Sequence, residues 1–209
     1  MNTGSSVALQ IFYGISSPWA YMGAPRAYSV AERVGVPVVL RPIRVIEANG
    51  GIPLRTRPMA RQQYHEVELT RCSKHLGIPL NLAPRCYPCR TIEPAAMAVI
   101  AAVQAGLDAR GFSYAIQRAL WAEDRDIADV DTLRQIARDE LGEADSSRLA
   151  LANPSAPVVA EWYGNLDEAE RRGIFGTPTY VVGNELFWGQ DRLDFVERAL
   201  VQAGADAGR

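Results

Sequence analysis

Strand-forming sequence is confined to the two ends of this chain of 209 residues, and nearly every apolar segment between them has helical spacing. Residues 7–13 (VALQIFY) are a short run of strand formers. Ser17-Pro18 follows, a cap residue before a proline at a first helical position, and a helix is expected to about residue 34, kinked at Pro25. Residues 36–43 (VPVVLRPI) are the second strand, so β-α-β is complete within the first ~45 residues and favours parallel pairing through a right-handed crossover. A Gly- and Pro-rich loop (EANGGIPLRTRP) opens a block with helical patterns such as ARQQYHEVELTRCSKHLG, EPAAMAVIAAVQAGL, FSYAIQRALWAED, DVDTLRQIARDELG and VVAEWYGNLDEAERRG. Asp129 and Asp131 are candidate caps for the fourth of these. The end of the chain returns to strands at 179–182 and 185–188, joined by a tight turn at Gly183-Asn184, before a last helix.

The order βαβ, helical block, ββα is that of an α/β protein with a thioredoxin-like sheet carrying a large all-helical insertion. Residues 1–48 and 173–209 form the sheet domain in this reading, and 49–172 the insertion. In such folds the first strand leads into Cys-x-x-Cys, with the first cysteine at a helix N-terminus whose free N–H groups stabilise a thiolate. Here the corresponding run in ISSPWAYMG is Ser17-Pro18-Trp19-Ala20, with serine and alanine where both thiols would stand. No dithiol redox cycle can run at this position. Ser17 is open to two readings: a plain N-cap, or a hydroxyl donor to a thiolate brought from outside. A charge-assisted hydrogen bond of roughly 1.5–3 kcal/mol lowers a thiol pKa by about 1–2 units.

Thr177-Pro178 stands just before the third strand, where thioredoxin-like proteins place a cis-proline. A cis bond there leaves the Thr177 backbone free to pair with a peptide-like ligand. Gln190 and Asp191 in FWGQDRLD open the last helix; its free N–H groups suit a carboxylate and Asp191 suits an ammonium, or the pair is an ordinary helix start.

The segments FYGISSPWAYMG, GIFGTPTYVV and ELFWGQDRLD, together with LWAEDRDIAD in the helical block, closely resemble the 2-hydroxychromene-2-carboxylate isomerases and the related kappa-class glutathione transferases, in the DsbA-like branch of the thioredoxin fold. The resemblance covers nearly the whole chain. It implies glutathione as cofactor, with Ser17 at its sulfur, Thr177 and Pro178 at its backbone, and Gln190 and Asp191 at its γ-glutamyl end. It also implies a basic residue at the glycyl end, best matched by Arg61, and a loop asparagine, matched by Asn49. Trp19 and Arg90 are assigned to the second-substrate pocket, Arg90 favouring an anionic aromatic acid. The implied reaction is reversible addition of the glutathione thiolate to a conjugated double bond, isomerising an aromatic catabolite. A homodimer is implied too. The alternatives are a glutathione transferase or peroxidase, and a non-catalytic module that binds peptides at the Pro178 edge.

Composition removes other classes. A net charge of −2 gives no pull toward nucleic acid or an anionic membrane, and no apolar run nears the roughly 18 residues of a membrane span. The start of the chain lacks the basic and cleavage patterns of a secretory leader, and three cysteines do not make a disulfide framework, so a cytoplasmic protein is expected. A serine hydrolase lacks its G-x-S-x-G, and both histidines, His65 and His75, lie on helical patterns. Cys72, His75, Cys86 and Cys89 read C-x2-H-x10-C-x2-C, a spacing open to zinc, to a Cys86–Cys89 dithiol, or to three unconnected thiols; no metal is expected.

Overall fold

The computed structural model describes residues 7–207; the expectation about the first residues therefore rests partly on positions 1–6, outside the described residues. The apolar run near the start forms β1 (Leu9–Tyr13) and leads into α1 (Pro18–Val34). Ser17 is extended (φ −81°, ψ 122°) and its side chain accepts from the Ala20 N–H, the geometry of an N-cap, with Pro18 pre-set at the first helical position. The helix continues through Pro25 and stops at Gly35, whose left-handed φ of 76° only glycine adopts without penalty. Pro25 can deprive only one carbonyl a turn earlier of its partner, and buried Ala24, Ala27, Val30 and Ala31 hold the helix to the core on either side.

β2 (Val38–Pro42) pairs parallel with β1, in register Ile11 to Leu40. β3 (Thr179–Val182) lies antiparallel on the other side of β1, and β4 (Glu185–Trp188) continues from it through the Gly183-Asn184 turn. The sheet order is β2-β1-β3-β4. The thioredoxin-like sheet with a helical insertion is therefore the fold.

Between β2 and β3 come α2 (Met59–Leu76), α3 (Glu93–Gln104), α4 (Ala109–Trp121), α5 (Val130–Ser146) and α6 (Ala156–Arg171); α7 (Leu193–Ala207) closes the described chain. Asp129, not Asp131, caps α5, accepting from Thr132 N–H at 2.9 Å. Alternation along the central strands sorts side chains into two cores. Leu9, Ile11, Tyr13, Tyr180 and Val182 face the larger one, with α1, α4, α5 and α7. Phe12 and Val181 face the other, against Ala96 and Ile100 of α3 and Val158, Trp162 and Leu166 of α6. By packing, then, α6 belongs to the sheet layers, although 49–172 divides the sequence at its far end. α3 covers the same face of the sheet as α6, and the insertion brings one face of α2 over the start of α1.

Candidate active site

A cavity of about 560 Å³ opens where the start of α1, the segment before β3, the turn after β4 and one face of α2 converge. Its floor is Ser17. The hydroxyl accepts from Ala20 N–H at 3.3 Å and donates to the Thr177 carbonyl at 3.4 Å, across 160 residues of sequence. Both contacts are long, so the proton on Ser17 Oγ is only loosely held and is open to a better acceptor. The Thr177–Pro178 peptide is cis, as the sequence predicts. Glycines let the walls close: a Cβ on Gly14 would sit 3.3 Å from Thr177 Oγ1, and one on Gly176 would collide with the Trp188 indole.

Charge is unevenly placed around this space. Arg44, Arg57 and Arg192 line it beside Glu68 and Asp191. Arg57 is half-buried and anchored through Nε and Nη2 to the Ile52 carbonyl, at 3.1 and 2.9 Å. Asp191 is exposed and forms an ion pair with Arg192 at 3.1 Å. On α2, His65 accepts from the Trp19 indole N–H through Nδ1 at 3.3 Å, the two rings meeting edge to face at 5.3 Å. Burial first, and the Arg57 guanidinium second, push the His65 pKa down, so its ring is neutral near pH 7.

Residues 8–201 match the family described as the DSBA-like thioredoxin domain. The chain belongs to that family. Two curated relatives are similar over almost their whole length. Both are 2-hydroxychromene-2-carboxylate isomerases, one from Sphingobium xenophagum (27% identical, covering 92% of this chain and 97% of its own) and one from Pseudomonas putida (27%, 92% and 93%). Among solved structures, a 2-hydroxychromene-2-carboxylate isomerase superposes with TM-score 0.72 at 22% identity, covering 96% of this chain and 98% of its own. The cytosolic disulfide reductase DsbM from Pseudomonas aeruginosa superposes with TM-score 0.60 at 24% identity, covering 96% and 95%. At these identities the structural likeness speaks to the fold.

In this DSBA-like chain the cavity gathers Ser17, Trp19, Thr177, Gln190 and Asp191 from the sequence expectations, with Pro178 immediately behind. Three expected residues are elsewhere. Arg61 is exposed, in the first turn of α2, and does not line the cavity; Arg57, four residues earlier, does. Asn49 turns away: its amide donates to the carbonyls of Ala169, Glu170 and Ile174, holding the loop after β2 to the end of α6. Arg90 is two-thirds exposed and pairs with Asp126 at 3.2 Å, outside the cavity.

Gln190 is near the cavity but its side chain is engaged. Arg26 of α1 donates to its Oε1 and, at 2.7 Å, to its carbonyl, while Nε2 points at Cys72 Sγ, 3.8 Å away. Gln190 can thus offer a ligand its main chain rather than its amide. Gly23 makes this close approach of α1 and the turn feasible, since a Cβ there would lie 2.9 Å from Gln190 Cβ.

Among the described residues no group of three or more His, Cys, Asp and Glu side chains is placed to share a metal ion, so the C-x2-H-x10-C-x2-C spacing does not close into a zinc site. Cys72 borders the cavity, His75 is exposed, and Cys86 and Cys89 pack against the larger core. Burial, with Asp126 and Cys86 nearby, pushes the Cys89 thiol up to about 11, the opposite of an activated redox cysteine. Arg57, His65, Arg44 and Trp188 are the site residues that sequence reasoning missed. The local signals for them are the helical spacing of His65, Glu68 and Cys72 on one face of α2 and the place of Trp188 within ELFWGQDRLD.

Proposed function

We propose that this chain is a glutathione-dependent isomerase of 2-hydroxychromene-2-carboxylate-like aromatic compounds. One observation carries the reading. The Ser17 hydroxyl stands at the N-terminus of α1, opposite the Thr177-Pro178 carbonyl, on the wall of a cavity large enough for a tripeptide and an aromatic ring, and neither position 17 nor position 20 holds a thiol. A reactive sulfur at Ser17 is then expected to arrive with a ligand, since Cys72, which borders the cavity, meets the Gln190 amide instead. The relatives named as isomerases, aligned along 92% of the chain, support the reaction class.

The residues present fit glutathione, which carries two carboxylates, an ammonium and a thiol. Ser17 suits the sulfur and the Thr177 main chain suits its peptide. Asp191 with the first N–H groups of the last helical segment suits the γ-glutamyl end, and Arg57 suits the glycyl carboxylate. When bound, glutathione supplies a thiolate that adds reversibly to a conjugated double bond and so permits rotation about it. Ser17 and the helix N-terminus favour the ionised sulfur, and Arg44 and Arg57 hold anionic carboxylates. Phe175 and Trp188, stacked edge to face at 4.8 Å, give an aromatic ring an apolar wall.

The test is turnover of 2-hydroxychromene-2-carboxylate followed by absorbance, with and without reduced glutathione. Glutathione-dependent isomerisation supports the reading. Conjugation of electrophiles without isomerisation would assign the site to a transferase, and no calorimetric binding at millimolar glutathione would remove both enzyme readings. We also infer a reducing, cytoplasmic setting and a homodimer, the latter checked by light scattering.

A further inference from the structure

The least explained feature of the cavity is the His65–Trp19 pair. It joins two helices that the chain separates by 46 positions, and both residues line the cavity that Ser17 lines. An indole N–H can only donate, so Nδ1 of His65 must be the acceptor and, in the neutral ring, the proton must sit on Nε2. Among the described residues no protein group accepts from Nε2. Protonation of Nδ1 would set two N–H groups against each other, and Arg57, which lines the same cavity, opposes a positive charge there as well. The result is an imidazole held neutral, in one tautomer, with one unassigned donor, at a cavity read as the site of a reaction that develops negative charge on oxygen.

We propose that His65, fixed by Trp19 as its Nε2–H tautomer, is a catalytic hydrogen-bond donor to the oxyanion that forms on the substrate, which makes it an electrophilic group and not a proton-transfer base. The proposal rests on the isomerase reading of the site. In that reaction the ring C–O bond of the cyclic hemiketal breaks and its electron pair passes to the phenolic oxygen. The 2-hydroxyl proton leaves to water as the carbonyl forms, and the phenolate later takes a proton from water. His65 keeps its proton throughout and stabilises the phenolate by donating to it. A neutral donor suits this role because it is strong enough to steady the anion without trapping it as the phenol. Trp19 is then a positioning residue, acting through the ring it orients.

Three measurements on the full chain test this. Nitrogen-15 chemical shifts of His65 at pH 7 should report a protonated Nε2 and an unprotonated Nδ1, and Trp19→Phe should blur that preference into a mixture of tautomers. Binding of 4-nitrophenol, whose absorbance reports its ionisation, should favour the phenolate in the wild type. The preference should fall at least tenfold in His65→Leu and be largely kept in His65→Gln, whose amide restores a donor. In turnover, His65→Leu should lower kcat by roughly 100-fold with a smaller change in KM, again with partial rescue by His65→Gln. A protonated Nδ1 in the wild type, or phenolate binding unchanged in a folded His65→Leu, overturns the proposal. Absence of chromene turnover by the wild type would instead defeat the isomerase reading, while the nitrophenolate and nitrogen-15 results would still decide the donor.

Discussion

Replacing Ser17 by alanine separates the two tasks that meet at the start of α1. As a cap, Ser17 accepts one backbone N–H, that of Ala20, at 3.3 Å. Losing such a cap costs about 0.5–2 kcal/mol, and the long contact places this one toward the lower half of that range. For a chain of 209 residues each kcal/mol moves Tm by about 2–4 °C, so Ser17→Ala should melt only a few degrees lower. In the proposed role of thiolate donor, Ser17 would contribute a charge-assisted hydrogen bond of roughly 1.5–3 kcal/mol, which is about 10- to 150-fold in kcat/KM. The helix N-terminus remains in the variant and continues to favour the anion. The pKa of bound glutathione should therefore rise by about 1–2 units without reverting fully to its solution value. Ultraviolet thiolate absorbance against pH, on enzyme saturated with glutathione, reads that shift apart from turnover. A folded Ser17→Ala protein with wild-type kcat/KM and an unmoved thiol pKa would refute the thiolate role and leave Ser17 as a cap alone.

Ser17→Cys, made together with Cys72→Ala, should form a mixed disulfide with oxidised glutathione that persists, because Ala20 offers no second thiol to resolve it; intact mass before and after dithiothreitol checks this. Arg57→Met should raise the Kd for glutathione roughly 10-fold or more by calorimetry, whereas Arg61→Met, exposed and off the cavity, should leave it within about twofold. Asn49→Ala should lower stability by about 1–3 kcal/mol in urea unfolding, since three carbonyls lose their donor, yet leave glutathione affinity unchanged. Arg90→Ala should change neither activity nor stability by more than about 1 kcal/mol, as expected of an exposed ion pair.

The sheet and the start of α1 were legible because their signals are local. Alternation and apolar runs mark β1 and β3, Ser17-Pro18 marks a cap, and Gly183-Asn184 fixes the hairpin at two residues. The positions of Ser17 and Thr177 in the site followed from the same backbone signals. Side-chain direction is not legible in the same way. Asn49 and Arg90 answer to tertiary partners, the end of α6 and Asp126; Arg61 shares the helical face of His65, Glu68 and Cys72, yet stands exposed in the first turn of α2 and does not line the cavity. Gln190 shows the same limit, since the arginine that captures its amide is 164 residues away. A lone histidine in a helical pattern, such as His65, carries no sign of the indole that will meet it.

The contact between Ser17 and Thr177 has a consequence for the order in which this protein is made. Closing a loop of 160 residues costs on the order of 4–5 kcal/mol of chain entropy before any contact is gained. A nascent chain that has folded β1, α1 and β2 therefore still lacks half of its binding site. That half arrives only when the hairpin of β3 and β4 joins the sheet beside β1. Any binding that needs both halves of the cavity therefore waits for the C-terminal hairpin, and retention of a ligand at this cavity would report a closed sheet.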